Sequence, residues 1–307
     1  MGLALGLVVT AFTLISVYIF WAHIWWFPVD ISTLGAAIDH QFNLTLIICG
    51  IIFVAAQLGL AWFAWKYHDR GSNRKVIYSH GNNKLEATWT IAAAILFIGL
   101  NVRGYRSWAE MHFTGAAPGA LQVQVQGEQF AWSFRYSGSD GKFGPTHVEK
   151  VDDAAGNFYG LDREHDPASR DDVVTATLAV PVGRPIELIL RSKDVTHSLF
   201  VRELGLKQDA VPGMEIPIHF TATKEALKRN GGTYEIACTQ LCGLGHYKMR
   251  AFLQVMTEPD FEKWLQTQGR WLRRTTLASQ CRTGRPRSEA STCPEWSAAL
   301  SMSTGIE

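Results

Sequence analysis

This chain is short of charge and shorter still of cysteine. Its 307 residues hold 29 Lys and Arg against 28 Asp and Glu, a formal net charge of +1, and five cysteines. A near-neutral balance excludes the basic surface of a nucleic-acid-binding domain, so no nucleic acid is expected as a partner. The odd cysteine count, with Cys49 inside an apolar run, argues against a disulfide scaffold. No Cys-x-x-Cys-His occurs, which excludes a fused c-type haem. Residues 3–27 and 41–65 contain no Asp, Glu, Lys or Arg.

Each of those two runs is long enough to cross a bilayer as a helix, which takes about 20 apolar residues. Trp21, Trp25 and Trp26 crowd the end of the first, and Trp62 and Trp65 the end of the second. Amphipathic rings prefer the headgroup level. The first run has no basic segment before it and is too long for a cleaved signal peptide, so a retained helix is expected. A third, shorter run covers Ala87–Val102, extended toward an interface by Tyr105 and Trp108.

Basic residues set the orientation. The link over 66–84 carries Lys66, Arg70, Arg74, Lys75 and Lys84 against Asp69, whereas 28–40 carries only Asp30 and Asp39. The positive-inside rule puts 66–84 in the cytoplasm and 28–40 outside, with Arg103 and Arg106 a minor contrary signal. Everything after about residue 108 then lies outside, which in a bacterium means the periplasm, beyond the inner membrane. Membrane lipid is therefore an expected partner.

From Leu121 the period changes to two, in LQVQVQGEQFAWSFRY. VVTATLAV, RPIELILR, EIPIHFTA, GTYEIAC and RAFLQVM follow as further strands between Gly, Pro and Asp turns, predicting an all-β sandwich or barrel. Residues 138–172 are polar and Gly-rich and predict a long loop; 258–267 predict a short helix. The stretch from about 268, with Cys281 and Cys293, has no sustained period and is expected to be disordered.

The chemistry lies in the spacing Cys238-x3-Cys242-x3-His246-x2-Met249. Soft sulfur donors plus imidazole select copper, and Met is a weak axial ligand typical of electron-transfer copper. A single-copper site needs one thiolate; two, spaced to reach one place, suggest two bridged coppers. That requires a second imidazole, for which His197 in Lys193-Asp-Val-Thr-His197, directly after the RPIELILR strand, is the candidate. A lone His near a strand end is usually a surface or structural residue, and Cys pairs also occur in disulfides and zinc loops. Neither of the latter accounts for Met249.

DVTHSLF, LGLKQDAVPGM, GTYEIACTQLCGLGHYKM and HGNNKLEATWT together resemble cytochrome c oxidase subunit 2, over residues from about 38 to 265. The resemblance implies an N-terminal transmembrane helical hairpin followed by an all-β cupredoxin-like Greek-key barrel. Here an extra N-terminal helix precedes the hairpin. The implied domains are 1–30 for that helix, 38–108 for the hairpin, 119–258 for the copper domain and 259–307 for a helix and tail. Implied too is a binuclear copper centre, CuA. Cys238 and Cys242 would bridge both ions, His197 and His246 would cap one each, and Met249 and the carbonyl of Gln240 would be weak ligands.

The implied function is electron acceptance for a membrane-bound haem-copper terminal oxidase. Haem chemistry and oxygen reduction would belong to a partner catalytic subunit I, with subunit III alongside and cytochrome c or another c-type haem protein as donor. Glu86 matches the family's acidic residue at the cytoplasmic mouth of a proton channel. The family usually has Glu where this chain has Gln240, and that carboxylate contacts a magnesium ion at the subunit interface. A neutral amide is a weaker ligand for a hard cation, which counts against magnesium here. The family's electron-accepting Trp aligns with Phe130, and Trp132 follows two residues on, so both are candidates for electron uptake. The alternatives are a metal-free quinol oxidase subunit, which lacks these ligands, and a membrane-tethered copper chaperone, which needs no His-x2-Met.

Overall fold

The structure is a computed structural model of the chain, describing residues 2–68, 78, 80–138 and 140–269. Arg70, Arg74 and Lys75, which carry most of the orientation signal, lie outside the described residues, as do Cys281 and Cys293. The chain divides into two units, one of Met1–Thr114 with Glu203–Gly205, the other of Gly115–Arg202 with the residues from Leu206 onward.

Among the described residues the first unit holds three helices, α1 (Gly2–Trp21), α2 (Thr33–Lys66) and α3 (Asn83–Phe113), each long and apolar enough to cross a membrane. The first apolar run continues to residue 27, but α1 stops at Trp21. His23 and Trp25 have positive φ, and Pro28 follows, so the tail of the run is a turn despite its hydropathy. The third helix is longer than its uncharged stretch. It starts at an Asn82 cap, whose side chain accepts from the Lys84 and Leu85 amides. It ends eleven residues beyond Val102, at Phe113. The side chains of α1 and α2 meet where both are small: a Cβ on Gly6 would sit 3.2 Å from the Ala61 carbonyl. Close backbone approach through small residues is how helices associate in lipid.

Among the described residues the second unit contains ten strands: β1 (Leu121–Glu128), β2 (Ala131–Tyr136), β3 (Val173–Thr175), β4 (Thr177–Pro181), β5 (Pro185–Ser192), β6 (His197–Val201), β7 (Leu206–Ala210), β8 (Ile216–Thr221), β9 (Thr233–Cys238) and β10 (Arg250–Met256). They form two five-stranded sheets, in order β3-β2-β1-β5-β8 and β4-β10-β9-β6-β7. The alternating stretch 121–136 is two strands of a hairpin, with Val123 opposite Tyr136 and Glu128 opposite Ala131. The single apolar run at 173–180 is also two strands, and they belong to different sheets. Ala176 is where the chain changes sheet. Strands β6 and β7, which carry no clean alternation, were not legible as strands. The predicted helix at 258–267 is present over 258–269.

Val123, Val125, Leu188, Leu190, Phe134 and Ile218 of one sheet, and Leu199, Val201, Ile236 and Leu253 of the other, are fully buried. The Tyr136 hydroxyl accepts from the Ala179 amide at 2.7 Å and donates to the Ala179 carbonyl at 2.9 Å, tying β2 to β4 of the other sheet.

The long segment 138–172 covers the outer face of the β1–β2 hairpin. Tyr159 reaches the carbonyls of Gln124 and Ser133 through its hydroxyl at 3.1 and 3.0 Å. Gln124 and Gln126 are consequently buried although their positions alternate with the core set. Beneath the segment Arg135 is wholly buried. It pairs with Asp172 (Nε to Oδ2, 3.0 Å) and donates to Gln124 Oε1 at 3.0 Å and the Gly144 carbonyl at 2.6 Å. Its guanidinium also lies over the rings of Phe143 and Tyr159. Burial pushes the Asp172 carboxyl up, and Arg135 and the Gly144 amide pull against that push.

Candidate metal centre

The candidate ligands converge because two strand ends meet. His197 opens β6, and Cys238 closes β9, with Leu199 paired to Cys238 across the two strands. The Thr239 amide donates to the Ser198 carbonyl at 3.0 Å, and the Cys238 amide to the Met249 carbonyl at 3.1 Å. The second bond closes the neck of the eleven-residue loop between β9 and β10. Inside it, His246, Lys248 and Met249 donate their amides to the carbonyls of Gly243, Gly245 and His246, so the loop is a folded turn held by its own backbone.

His197, Cys238 and Cys242 are all buried, and their ligand atoms lie within 4.8 Å of one another. The two Sγ atoms are 3.9 Å apart, far beyond the ~2.05 Å of a disulfide. His197 Nδ1 lies 4.0 Å from Cys238 Sγ, and His246 Nδ1 lies 3.6 Å from Cys242 Sγ. Met249 Sδ is 3.7 Å from Cys242 Sγ, and the Gln240 carbonyl is 3.2 Å from Cys238 Sγ. All six sequence candidates for metal ligation are thus together. Each thiol has one imidazole and one weaker donor as neighbours. The Gln240 side chain is exposed and makes none of these contacts.

Burial, and next the neighbouring Cys238, push the Cys242 thiol up to about 11. Two thiols this close resist joint ionisation without a cation between them.

Three residues around the ligands carry no role in the sequence reading. His197 Nε2 lies 2.8 Å from Asp194 Oδ1. A carboxylate only accepts, so Nε2 carries the proton and Nδ1 presents a lone pair toward Cys238. Burial raises the Asp194 carboxyl, but hydrogen bonds from His197, the Gln129 amide and the Val195 amide outweigh it and leave it lowered. Gln129 also donates from its side chain to the Cys242 carbonyl, joining the β1–β2 turn to the ligand loop. Gly127 fits between two rings: a Cβ there would lie 3.0 Å from both His197 Cδ2 and Trp132 Cζ3. The fixed offset of Asp194 from His197, three residues, was the one available signal for that carboxylate.

The two aromatic candidates differ. Trp132 is buried and meets the His197 ring edge-on, with centroids 5.9 Å apart. Phe130 is half-exposed and lies on the backbone of Gly243 and Gly245. A Cβ on Gly245 would come within 2.3 Å of the Phe130 ring, so the residue must be glycine for lack of space. Glu86 is exposed in the first turn of α3.

Three helices long and apolar enough to cross a membrane, and a two-sheet β unit with a buried His/Cys/Cys cluster that could hold a metal ion, are the features of a membrane-anchored metal-binding protein. Residues 121–256 match the family described as cytochrome C oxidase subunit II, periplasmic domain. The alternative cytochrome c oxidase subunit 2 of Bradyrhizobium diazoefficiens is 34% identical over 246 residues, 80% of this chain and 84% of that protein. Cytochrome c oxidase subunit 2 of Cereibacter sphaeroides is 27% identical, covering 78% of each chain. The crystal structure of the periplasmic domain of subunit II of cytochrome oxidase of Bradyrhizobium japonicum is 26% identical, spanning 50% of this chain and 96% of that one, with a TM-score of 0.35. The chain belongs to the cytochrome c oxidase subunit II family. It is an electron-transfer, non-catalytic subunit of a haem-copper oxidase, anchored by multiple membrane helices with its β unit on the periplasmic side.

Proposed function

We propose that the ligand loop holds a binuclear CuA centre and is the point where electrons enter the oxidase. The observation that carries this reading is the pair of buried thiols 3.9 Å apart, with His197 Nδ1 4.0 Å from one and His246 Nδ1 3.6 Å from the other. Cys238 and Cys242 as thiolates would each touch two copper ions. His197 and His246 would hold one ion apiece through Nδ1, with Met249 and the Gln240 carbonyl as weak ligands. A thiolate-bridged copper pair, when bound, accepts one electron with little change of geometry. The chain's part is to hold six donors still. The closed neck, the loop's own hydrogen bonds and the Asp194 contact serve that end.

The rest of the reading follows from family membership. The two sheets close as a cupredoxin-like Greek-key barrel over 119–258, with 38–108 as the membrane hairpin, 1–30 as an added helix and 259–307 as a helix and tail. Electrons pass from a c-type haem donor to this subunit and on to haem in catalytic subunit I, where oxygen is reduced to water; subunit III completes the assembly. Glu86 stands at the cytoplasmic mouth of a proton path, a placement supported by its position at the cytoplasmic start of α3. Magnesium is left out of the proposal, since the Gln240 amide replaces the carboxylate a hard cation prefers.

Replacing Cys238 by Ser tests the bridging role. The variant is expected to lose the electron shared over two coppers and to bind fewer than two ions per chain; an unchanged copper spectrum and stoichiometry would exclude bridging by that thiol. Phe130→Ala is expected to slow electron uptake with the copper spectrum retained. Trp132→Ala should perturb the spectrum itself through His197.

A further inference from the structure

The two turns beside the metal ligands are clamped to each other, and the clamp is charged. Lys193 Nζ lies 2.8 Å from Glu128 Oε2, at the end of β1, and 2.5 and 2.7 Å from the two Asp153 carboxylate oxygens. The Lys193 amide donates to the Gly127 carbonyl at 3.0 Å. In the opposite sense, the Gln129 amide donates to Asp194 Oδ2 at 2.7 Å. Residues 127–130 and 192–196 are thus joined through backbone, carboxylates and ammonium together.

Each group that orients the ligands adjoins a member of this clamp. Asp194, which holds His197, follows Lys193. Gln129, whose side chain donates to the Cys242 carbonyl, follows Glu128. Gly127, which leaves the gap beside the His197 ring, precedes Glu128. Both thiol–imidazole halves of the site therefore lead back to one ammonium.

Asp153 comes from the long segment 138–172, and the segment is shaped to present it. The Asn157 amide donates to the Asp152 carbonyl at 2.8 Å, and the Asp152 amide to the Asn157 carbonyl at 3.2 Å. The Asn157 side chain donates to the carbonyls of Lys150 and Leu161 at 2.9 and 3.1 Å. Gln126 Nε2 donates to the Phe158 carbonyl at 2.9 Å, pinning the returning leg to β1. A turn tied this way loses little further freedom when its carboxylate meets Lys193. Burial lowers the Lys193 ammonium, but its hydrogen bonds to Asp153 and Glu128 outweigh that and leave it raised, so it stays charged.

We propose that Lys193 is a positioning residue for the metal centre, and that the segment 138–172 is the strut that holds it, through Asp153. This deepens the CuA reading, on which it rests for the identity of the metal. Exposed ion pairs add little to global stability, so the clamp acts on geometry. Without it the turn at 192–196 gains freedom, and Asp194 no longer fixes the His197 ring before metal binds.

The test uses the full-length chain in detergent, metal-free and copper-loaded. In metal-free Lys193→Ala, hydrogen–deuterium exchange should speed up at 127–130 and 192–197 and stay unchanged in the strands of both sheets. Copper affinity, read by chelator competition, should fall about three- to tenfold, less than the 10- to 100-fold typical when a ligand's own partner is removed. The unfolding midpoint should hardly move. Lys193→Arg keeps the charge and should retain most of the affinity, whereas Asp153→Ala should give part of the loss because Glu128 remains. Arg184→Ala removes another exposed ion pair of the β unit, to Glu258 at 3.0 Å, and should change none of these.

Unchanged exchange and affinity in Lys193→Ala would overturn the proposal. So would an equal loss in Arg184→Ala, or Lys193→Arg behaving as Lys193→Ala does. A lowered midpoint with exchange speeding up throughout the β unit would also overturn it, because that is the mark of a merely structural pair. Absence of copper-pair resonance in the unaltered chain would defeat the CuA reading instead, with exchange in the metal-free chain still deciding the role of Lys193.

Discussion

His197 is held from behind by Asp194: Nε2 and Oδ1 are 2.8 Å apart, and the ring's other nitrogen faces Cys238 Sγ at 4.0 Å. The carboxylate fixes both the tautomer and the ring angle before any metal arrives. Removing such a partner typically costs 10- to 100-fold in metal affinity. Asp194→Ala is therefore expected to weaken copper binding by about that factor and to shift the copper absorption bands. Asp194→Asn, which still accepts a hydrogen bond, should retain more of both. Competition against a copper chelator reads the affinity, and equal affinities for all three proteins would remove Asp194 from the site.

Gly245 and Phe130 form a second coupled pair. A methyl group on Gly245 would enter the Phe130 ring, and overpacking of this kind costs roughly 1–3 kcal/mol. Gly245→Ala should lower the unfolding midpoint and disorder the ligand loop. Adding Phe130→Ala should restore much of the loss, because the clash partner is gone. If the double variant is no more stable than Gly245→Ala, the ring does not sit where the structure puts it.

The buried Arg135–Asp172 pair anchors the long segment over β1 and β2. Breaking a buried pair by removing one partner costs about 3–5 kcal/mol, since the other charge is left uncompensated. Asp172→Ala is expected to lower the thermal midpoint accordingly and to expose 138–172 to proteolysis. The double change Arg135→Met with Asp172→Leu should be much milder. A mild effect of Asp172→Ala alone would mean that Arg135 finds water or another acceptor.

Much of this was legible in the sequence. The three uncharged runs announced the helices, because lipid tolerates little else, and the C-x3-C-x3-H-x2-M spacing announced the ligand loop. Other features depend on tertiary neighbours and left no local mark. Arg135 reads as the outward-facing residue of its strand, and only the covering segment 138–172 buries it. The run at 173–180 reads as one strand, yet its halves join different sheets. β6 was hidden because HSLFV lacks alternation, although it carries His197. The roles of Gly127 and Gly245 are set by rings distant in sequence or across a turn, which no spacing rule encodes.

A CuA centre in this chain would hold two coppers sharing one electron. The direct measurement is electron paramagnetic resonance of the purified, copper-loaded chain, with a metal count on the same sample. Two coppers per chain are expected and, in the oxidised form, hyperfine coupling to two equivalent copper nuclei. One copper per chain with single-nucleus hyperfine structure, or a site that takes up zinc and no copper, would contradict it.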